Sequence, residues 1–382
     1  MSPIEWDAVV VGGGPAGATA AARLAAAGAR VALLERADFP RDKPCGGGLS
    51  PKAYHLLDID VSDLVLARPR VVWLSAPHVG PVAMASRQEA IWMVRRADFD
   101  QRLLDEAADR GVRISTGVAA VGLERSPEGR VVGVITSRGA VRARVVIGAD
   151  GADSVIARQA GLRTGRETRY VLALEMEGRR PAGAPRDAAL IDFGLCRGYA
   201  WYFPKGDLCN IGVGTDARAE FRCLRSHLAS FVRDHGLEIR PPPRVIGHKI
   251  PVWRGIEPLH RANVLLVGDA AGVADPFFGE GIAYAIQTGR FAAETVLHFL
   301  DGRAPDLSGY TRLVQKVLGR DLRFWTAVGW VVYRVPSLAV LALSRSRFLQ
   351  RLADQAISGE KSFSHTWRPG RRTAIRPAGR SD

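Results

Sequence analysis

The chain has 382 residues, of which 47% are hydrophobic and 24% charged, and this composition excludes a disordered, collagen-like or coiled-coil protein. Its length suffices for two or three domains with a full core. The formal net charge is +14, and residues 301–382, with 15 basic and six acidic side chains, contribute nine of these charges. Such a basic region predicts an anionic partner, and lipid headgroups, nucleic acid and phosphorylated substrates all qualify.

Cysteine and histidine usage indicates the compartment and argues against a metal. The four cysteines include no C-x-x-C pair, which is typical of free thiols in a reducing compartment. No basic n-region precedes the first predicted strand, so no signal peptide is expected. The eight histidines show no metal-ligand spacing. We therefore expect a cytoplasmic protein without a bound metal.

The first predicted elements form a nucleotide-binding pattern. Trp6–Val11 is a β-branched apolar run typical of a buried parallel strand. A G-x-G-x-x-G segment, residues 12–17, follows directly and opens an Ala-rich helix over 15–27. Its glycines allow a tight turn and a close approach to a pyrophosphate, which the helix N-terminus attracts.

A second predicted strand, Val31–Leu34, ends in Glu35. This is the spacing of a carboxylate that binds ribose hydroxyls rather than a 2′-phosphate. The sequence therefore predicts a dinucleotide site that includes Gly12, Gly14, Pro15, Ala16, Gly17, Glu35 and Arg36.

Two later segments have the same form of a strand followed by an acid and glycines. Residues 147–154 end a β-rich stretch at Asp150 and Gly151, and residues 263–272 contain Asp269. An Asp at a strand end is suited to a ribityl chain, and a Gly-rich helix start is suited to a pyrophosphate or a flavin edge. The next turn, residues 275–282, supplies three more candidates, Gly279, Gly281 and Ile282.

Over residues 5–300 these segments resemble the FAD-binding motifs of the para-hydroxybenzoate hydroxylase-like flavoproteins. Residues 96–103 also match the R-x-x-F-D-x-x-L segment of that superfamily. The resemblance implies FAD as the cofactor and Arg96 as one of its contacts.

Further segments resemble the geranylgeranyl reductase family. Residues 43–51 are similar to its K-x-C-G-G loop, and residues 199–204 match Y-x-W-x-F-P, followed seven residues later by G-x-G. Residues 359–363 look like its G-x-x-S-[YF] end. The resemblance implies a catalytic role for Cys45 near the flavin, cofactor contacts at Cys45 and Gly46, and substrate contacts at Tyr199, Trp201, Phe203, Pro204, Gly212 and Gly214.

The residues alone leave two of these roles open. Strand alternation places Tyr199, Trp201 and Phe203 on one face, which is equally suited to a substrate wall and to a core strand; the family pattern favours the wall. A free cysteine most often fills space as a small apolar residue, and this is the alternative for Cys45.

Residues 324–343 are nearly all apolar, but Arg334 and Pro336 fall in the middle. A central charge costs about 3 kcal/mol in a membrane span and proline weakens a helix, so two helices of about ten residues are predicted. Flanking Arg and Trp are typical of a helix in a bilayer interface. The helices are equally suited to roofing a substrate cavity, and both roles are compatible. Residues 366–382, rich in Pro, Gly and Arg, are predicted to be disordered.

These interpretations give an α/β fold, α+β overall, in which a Rossmann-type FAD-binding domain is interleaved with a β-sheet substrate domain. The FAD domain is assigned residues 1–70, 93–160 and 255–300, and an antiparallel-sheet substrate domain is assigned 71–92 and 161–254. Residues 301–365 form a helical C-terminal region.

The leading functional hypothesis is a reductase that saturates C=C bonds of an isoprenoid chain, free as a diphosphate or attached to a lipid, quinone or chlorophyll-type head. NAD(P)H or reduced ferredoxin is the expected electron donor, and peripheral contact with the inner face of the cell membrane is expected. An FAD-dependent monooxygenase or halogenase is the alternative within the superfamily, with Lys43 as the one candidate for a halogenase lysine. A basic nucleic-acid-binding protein is the alternative from another class, but no nucleic-acid-binding motif accompanies the charge.

Overall fold

A computed structural model describes residues 5–85, 91–163, 169–255 and 257–358. Its strands are β1 (Trp6–Val11), β2 (Val31–Leu34), β3 (Gly48–Leu49), β4 (Val71–Ala76), β5 (Val79–Ala85), β6 (Trp92–Met93), β7 (Arg113–Ser115), β8 (Ala120–Arg125), β9 (Val131–Thr136), β10 (Gly139–Gly148), β11 (Tyr170–Arg179), β12 (Ala188–Asp192), β13 (Gly198–Lys205), β14 (Leu208–Thr215), β15 (Ile246–Pro251), β16 (His260–Arg261) and β17 (Val264–Leu266).

The helices are α1 (Pro15–Ala26), α2 (Pro51–Tyr54), α3 (Arg96–Asp109), α4 (Val155–Gln159), α5 (Leu224–Asp234), α6 (Gly268–Ala271), α7 (Ile282–Leu300), α8 (Gly309–Val332), α9 (Pro336–Arg345) and α10 (Arg347–Ser358). Proline occupies the first turn of α1, α2 and α9, where its missing N–H costs no hydrogen bond and its fixed φ favours the helix.

The first sheet carries the nucleotide-binding pattern. Strands β17, β10, β1, β2 and β7 lie side by side and parallel, and the central residues of β1 are fully buried. The strands predicted at 6–11 and 31–34 are confirmed. The helix predicted over 15–27 ends one residue earlier, before Gly28 with its positive φ.

The second sheet has the order β15-β11-β14-β13-β12-β4-β5 and is antiparallel except for the β12–β4 pair. One face of β13 packs Ala200 and Tyr202 against α5 in a separate hydrophobic core. The opposite face of β13 is directed toward the first sheet. The predicted fold class, with a sheet domain beside a Rossmann-type domain and a helical C-terminal region, is confirmed, and the domain bounds stay a prediction.

The C-terminal helices join the two sheets. At the start of α8, the Tyr310 hydroxyl donates to the Leu266 carbonyl at 2.7 Å, and Val314 and Leu318 extend the core of the first sheet. Further along, Trp325 packs in a cluster with residues of the second sheet. This explains why α8 is 24 residues long rather than the predicted ten or so.

The predicted break at Arg334 and Pro336 is confirmed, because α8 and α9 meet there at 107°. In the described part of the chain, no single helix has the length and apolarity of a membrane span, although the bent pair α8 and α9 together would reach those values. The residues 359–363 and 366–382, for which a family ending and a disordered tail are predicted, lie outside the described residues.

Candidate functional site

A cavity of about 1000 Å³ lies between the two sheets and extends beneath α8, α9 and α10. This is the upper end of the range for ligand pockets, roughly 300–1,000 Å³. One end is bordered by the glycine-rich turns of the first sheet, and the other by aromatic and aliphatic side chains. A single continuous space thus has a polar end that is suited to a dinucleotide and an apolar end.

The turn after β1 forms a cradle at the polar end. Gly12 has φ +110°, and a Cβ there would lie 2.2 Å from the Ala149 carbonyl oxygen, so only glycine fits. A Cβ on Gly17 would lie 1.9 Å from the Gly12 oxygen; Gly17 therefore packs the helix against the turn and does not line the cavity. Gly14, Pro15 and Ala16 line the cavity. Together with the N-terminus of α1, this cradle fits a pyrophosphate.

Glu35 lies at the end of β2 with both carboxylate oxygens fixed. Gly13 N donates to Oε2 at 2.8 Å and Ala37 N to Oε1 at 2.9 Å. Each oxygen keeps a further lone pair that can accept from a ribose hydroxyl. Arg36, the next residue, is exposed and lines the same end of the cavity.

Arg96 is held at the cavity by a buried carboxylate. Its Nε and Nη2 donate to the two oxygens of Asp100, both at 2.8 Å, and Arg41 Nη2 lies 3.1 Å from Asp100 Oδ2. Burial lowers the pKa of Arg96, but Asp100 and the Cys45 thiol outweigh it and raise this pKa above its usual value. The guanidinium therefore stays charged, which suits contact with an anionic cofactor.

The two predicted aspartates have different surroundings. Asp150 lines the cavity, but its oxygens accept from Ser154 Oγ at 2.5 Å and Val155 N at 2.7 Å, so it also anchors the start of α4. Asp269 also lines the cavity, and Lys43 Nζ lies 3.4 Å from its Oδ2. Burial raises the pKa of Asp269, but the combined effect of Lys43, His248 and Arg96 is larger and opposite. The pKa of Asp269 therefore lies below its usual range.

The turn between α6 and α7 is tied together by Asp275. Its carboxylate accepts from the backbone N–H groups of Phe277, Phe278 and Glu280 at 2.7–2.9 Å. Burial and the neighbouring Glu280 raise the pKa of Asp275 to about 7. Three predicted cofactor residues on this turn, Gly279, Gly281 and Ile282, line the cavity.

A hydrogen-bonded chain connects the Cys45 loop with the aromatic strand. Cys45 N donates to Glu175 Oε1 at 2.6 Å, Asn210 Nδ2 donates to the same oxygen at 3.4 Å, and Trp201 Nε1 donates to Asn210 Oδ1 at 2.7 Å. Burial raises the pKa of Glu175. Gly46 fits closely beneath the Phe203 ring, which a Cβ would approach to 2.8 Å. The loop and the strand therefore form one packed unit.

Tyr199, Trp201 and Phe203 all face the cavity, and so does Gly214 on the adjacent strand. Two other residues predicted to contact substrate do not line it. Pro204 has the opposite strand parity, and Gly212 lies beneath the Trp201 ring, where a Cβ would be 2.2 Å from Cζ2. Because Gly212 has no side chain, the Trp201 indole can pack directly over it.

Beyond this wall, stacked rings line the apolar end of the cavity. Phe277 lies between Phe193 and Trp325, with ring centroids 5.9 Å apart on both sides, and Tyr333 donates to the Phe277 carbonyl at 2.6 Å. Aliphatic residues of α8, α9 and α10 continue the lining. The aromatic strand is therefore a cavity wall on one face, while its other face packs in the core.

Four polar residues at or beside the cavity are outside the sequence prediction. Glu280 lies inside a recognised motif, which indicates its position but not its role. Asp100 stands four residues after Arg96, a spacing that signals a helical ion pair. Glu175 and Asn210 have no local signal, because their roles depend on strands that pair far apart in sequence.

The family model that matches residues 5–181 is described as an FAD-binding domain. The menaquinone reductase of Mycobacterium tuberculosis is 34% identical, over 75% of this chain and 76% of that protein. The geranylgeranyl diphosphate reductase of Rhodobacter capsulatus is also 34% identical, over 80% and 78%. The crystal structure of a geranylgeranyl bacteriochlorophyll reductase-like protein from Thermoplasma acidophilum superposes with a TM-score of 0.76 at 26% identity, covering 92% of this chain and 91% of that one.

Proposed function

Because the chain belongs to the geranylgeranyl reductase family of FAD-dependent oxidoreductases, we propose that it saturates C=C bonds in an isoprenoid chain. The observation that carries this proposal is the aromatic chamber that continues directly from the cofactor end of the cavity. An apolar chain in the chamber would place its double bonds beside the flavin without crossing a polar barrier. The substrate is a prenyl diphosphate or a prenylated lipid, quinone or chlorophyll-type molecule.

FAD fits the polar end of the cavity. The cradle at Gly12 and Gly14 would hold the pyrophosphate, Glu35 the adenosine ribose, and Arg96 with the turn at Gly279 and Gly281 the flavin end. When bound and reduced, FAD supplies a hydride. The chain itself orients the alkene through Trp201 and Phe203 and excludes water with apolar walls.

Anaerobic single turnover tests this proposal. We expect dithionite-reduced holoenzyme, mixed without oxygen with geranylgeranyl diphosphate or a prenylated quinone, to give a product with fewer double bonds as the flavin reoxidises. Dithionite removes the dependence on NAD(P)H or ferredoxin, which we propose as donors in the cell. Product that appears only after oxygen is admitted would instead favour the monooxygenase or halogenase alternative.

Exposed apolar residues on the C-terminal helices support contact with a membrane. Trp330, Leu338 and Phe348 are 61%, 64% and 73% exposed. Exposed arginines lie beside them, and Arg334 covers the Trp330 ring at 4.4 Å. Other residues of α8, α9 and α10 line the cavity, so a prenyl chain that leaves a bilayer here would meet the chamber. We propose peripheral attachment to the inner face of the cell membrane, with the protein otherwise cytoplasmic.

Cosedimentation with liposomes checks this surface. The double change Leu338→Glu and Phe348→Glu should abolish most binding to anionic liposomes, because it replaces apolar insertion with repulsion. Val121→Glu, an exposed apolar position on β8 that is 52% exposed, is the matched control and should bind normally. Wild-type protein that binds RNA strongly and liposomes not at all would support the nucleic-acid alternative.

A further inference from the structure

Saturating an alkene requires a proton as well as a hydride, and the proposed function assigns no residue to deliver it. Two acids with raised pKa values line the cavity, the buried Glu175 and the half-buried Glu280. Glu175 accepts hydrogen bonds from Cys45 N and Asn210 Nδ2, so it holds the Cys45 loop against the aromatic strand. Glu280 makes no such link between the loop and the wall.

The position of Glu280 sets it apart. It lies between Gly279 and Gly281 on the turn predicted to border the flavin, and the same turn carries Phe277 and Phe278 into the aromatic chamber. Glu280 therefore lies on the cavity wall where the cofactor end meets the apolar end. A group at this boundary is placed to reach an alkene held against the flavin.

A buried polar cluster lies behind Glu280. Ser50, the cap of α2, hydrogen-bonds to Glu280 Oε1 through its hydroxyl. Lys52 Nζ lies 3.2 Å from Asp321 Oδ2 of α8, and the Tyr284 hydroxyl of α7 donates to the same oxygen at 2.6 Å. Lys52 also lies 5.3 Å from the centre of the Trp325 ring. Glu280 thus accepts a hydrogen bond from the Ser50 hydroxyl, feels the charge of the Lys52 ammonium, and is one of the residues that line the cavity.

We propose that Glu280 is the general acid that protonates the alkene during reduction, an inference that rests on the proposed function. Reduced FAD, when bound, would supply the hydride for a C–H bond at one alkene carbon and with it the two electrons of the reduction. The Glu280 O–H bond breaks, and its proton takes the alkene π pair to form the second C–H bond. The carboxylate then regains a proton from solvent.

The surroundings of Glu280 shift its pKa, and its role as an acid sets how the reaction rate changes with pH. Burial is the largest effect and raises its pKa, Lys52 and Ser50 oppose this, and Asp321 adds to it; Asp275 on the same turn is a further acid that interacts with it. The active form is the protonated acid. The rate of alkene reduction should therefore be constant at low pH and fall as pH rises through the pKa of Glu280.

Single-turnover reduction by Glu280→Gln holoenzyme is the first test. General acids contribute roughly 10²- to 10⁴-fold, so we expect a loss of at least about 100-fold and a flat pH profile. Glu280→Asp should recover part of the rate and restore a pH-dependent fall. Glu294→Gln, the same chemical change on an exposed residue of α7, should behave as wild type. A Glu280→Gln enzyme that keeps wild-type rate and pH profile would overturn the proposal.

An infrared comparison tests the acid without turnover. On acidification from neutral pH, oxidised wild-type holoenzyme should gain a protonated-carboxyl C=O band that shifts in D₂O and is missing in Glu280→Gln. Identical spectra would show that Glu280 carries no proton and would sink the idea. If wild-type enzyme reduces no prenyl substrate, the proposed function fails, whereas the infrared result still decides whether Glu280 is the stored acid.

Discussion

Asp100→Asn is expected to lower the free energy of unfolding by about 3–5 kcal/mol, the usual cost of breaking a buried ion pair. Asp100 is fully buried and neutralises Arg96 through two hydrogen bonds, with Arg41 alongside. The amide keeps the shape of the side chain but removes its charge, so two guanidinium groups would face each other without a carboxylate. Urea unfolding of the FAD-loaded protein measures the loss.

The same change should weaken FAD retention, because Arg96 would no longer be held toward the cavity. Gel filtration followed by the absorbance ratio of flavin to protein reports this. Asp109→Asn, at an exposed position of the same helix, is the control and should change stability by less than about 0.5 kcal/mol. Equal stability of the two variants would show that the buried pair contributes nothing.

Gly212→Ala should slow alkene reduction strongly while leaving FAD bound. The added methyl would lie 2.2 Å from Trp201 Cζ2, so the indole must move by more than 1 Å and give up its hydrogen bond to Asn210. A displacement of 1 Å in a positioning group costs about 100-fold in rate. Stopped-flow reoxidation of reduced holoenzyme by a prenyl substrate measures the effect.

Gly80→Ala is the matched control for this variant. Gly80 is also a strand glycine, in β5, but a Cβ there meets nothing within 4 Å. It should reduce substrate at the wild-type rate. If Gly212→Ala does the same, the position of the Trp201 ring is not what orients the alkene.

The cofactor end of the site could be predicted because its signals are local. Gly12, Gly14 and Glu35 follow directly from β1 and β2, and each element of that pattern depends on its immediate neighbours in sequence. Strand alternation places Trp201 on one face with Tyr199 and Phe203, but only the family pattern favours that face as a substrate wall. Alternation also places Pro204 on the opposite face, although the family pattern includes it among the substrate contacts.

The rest of the site depends on contacts that sequence order hides. Glu175 meets Cys45 across 130 positions, and Lys52 meets Asp321 across 269. Neither pair has a spacing that a helix or strand pattern could reveal. The length of α8 could not be predicted for the same reason. Its first half packs in one core and its second half in another, and only the assembled fold shows both.

The start of helix α8 is anchored to the parallel sheet by Tyr310. Every residue added or removed after Leu322 would shift the 107° corner along the chamber by about 1.5 Å and rotate it by 100°. A change in the length of this one stretch would therefore reshape the apolar end of the cavity and leave the cofactor end as it is. Because the start of α8 packs in the core of the first sheet, a truncation before α8 would remove part of the core of the cofactor domain.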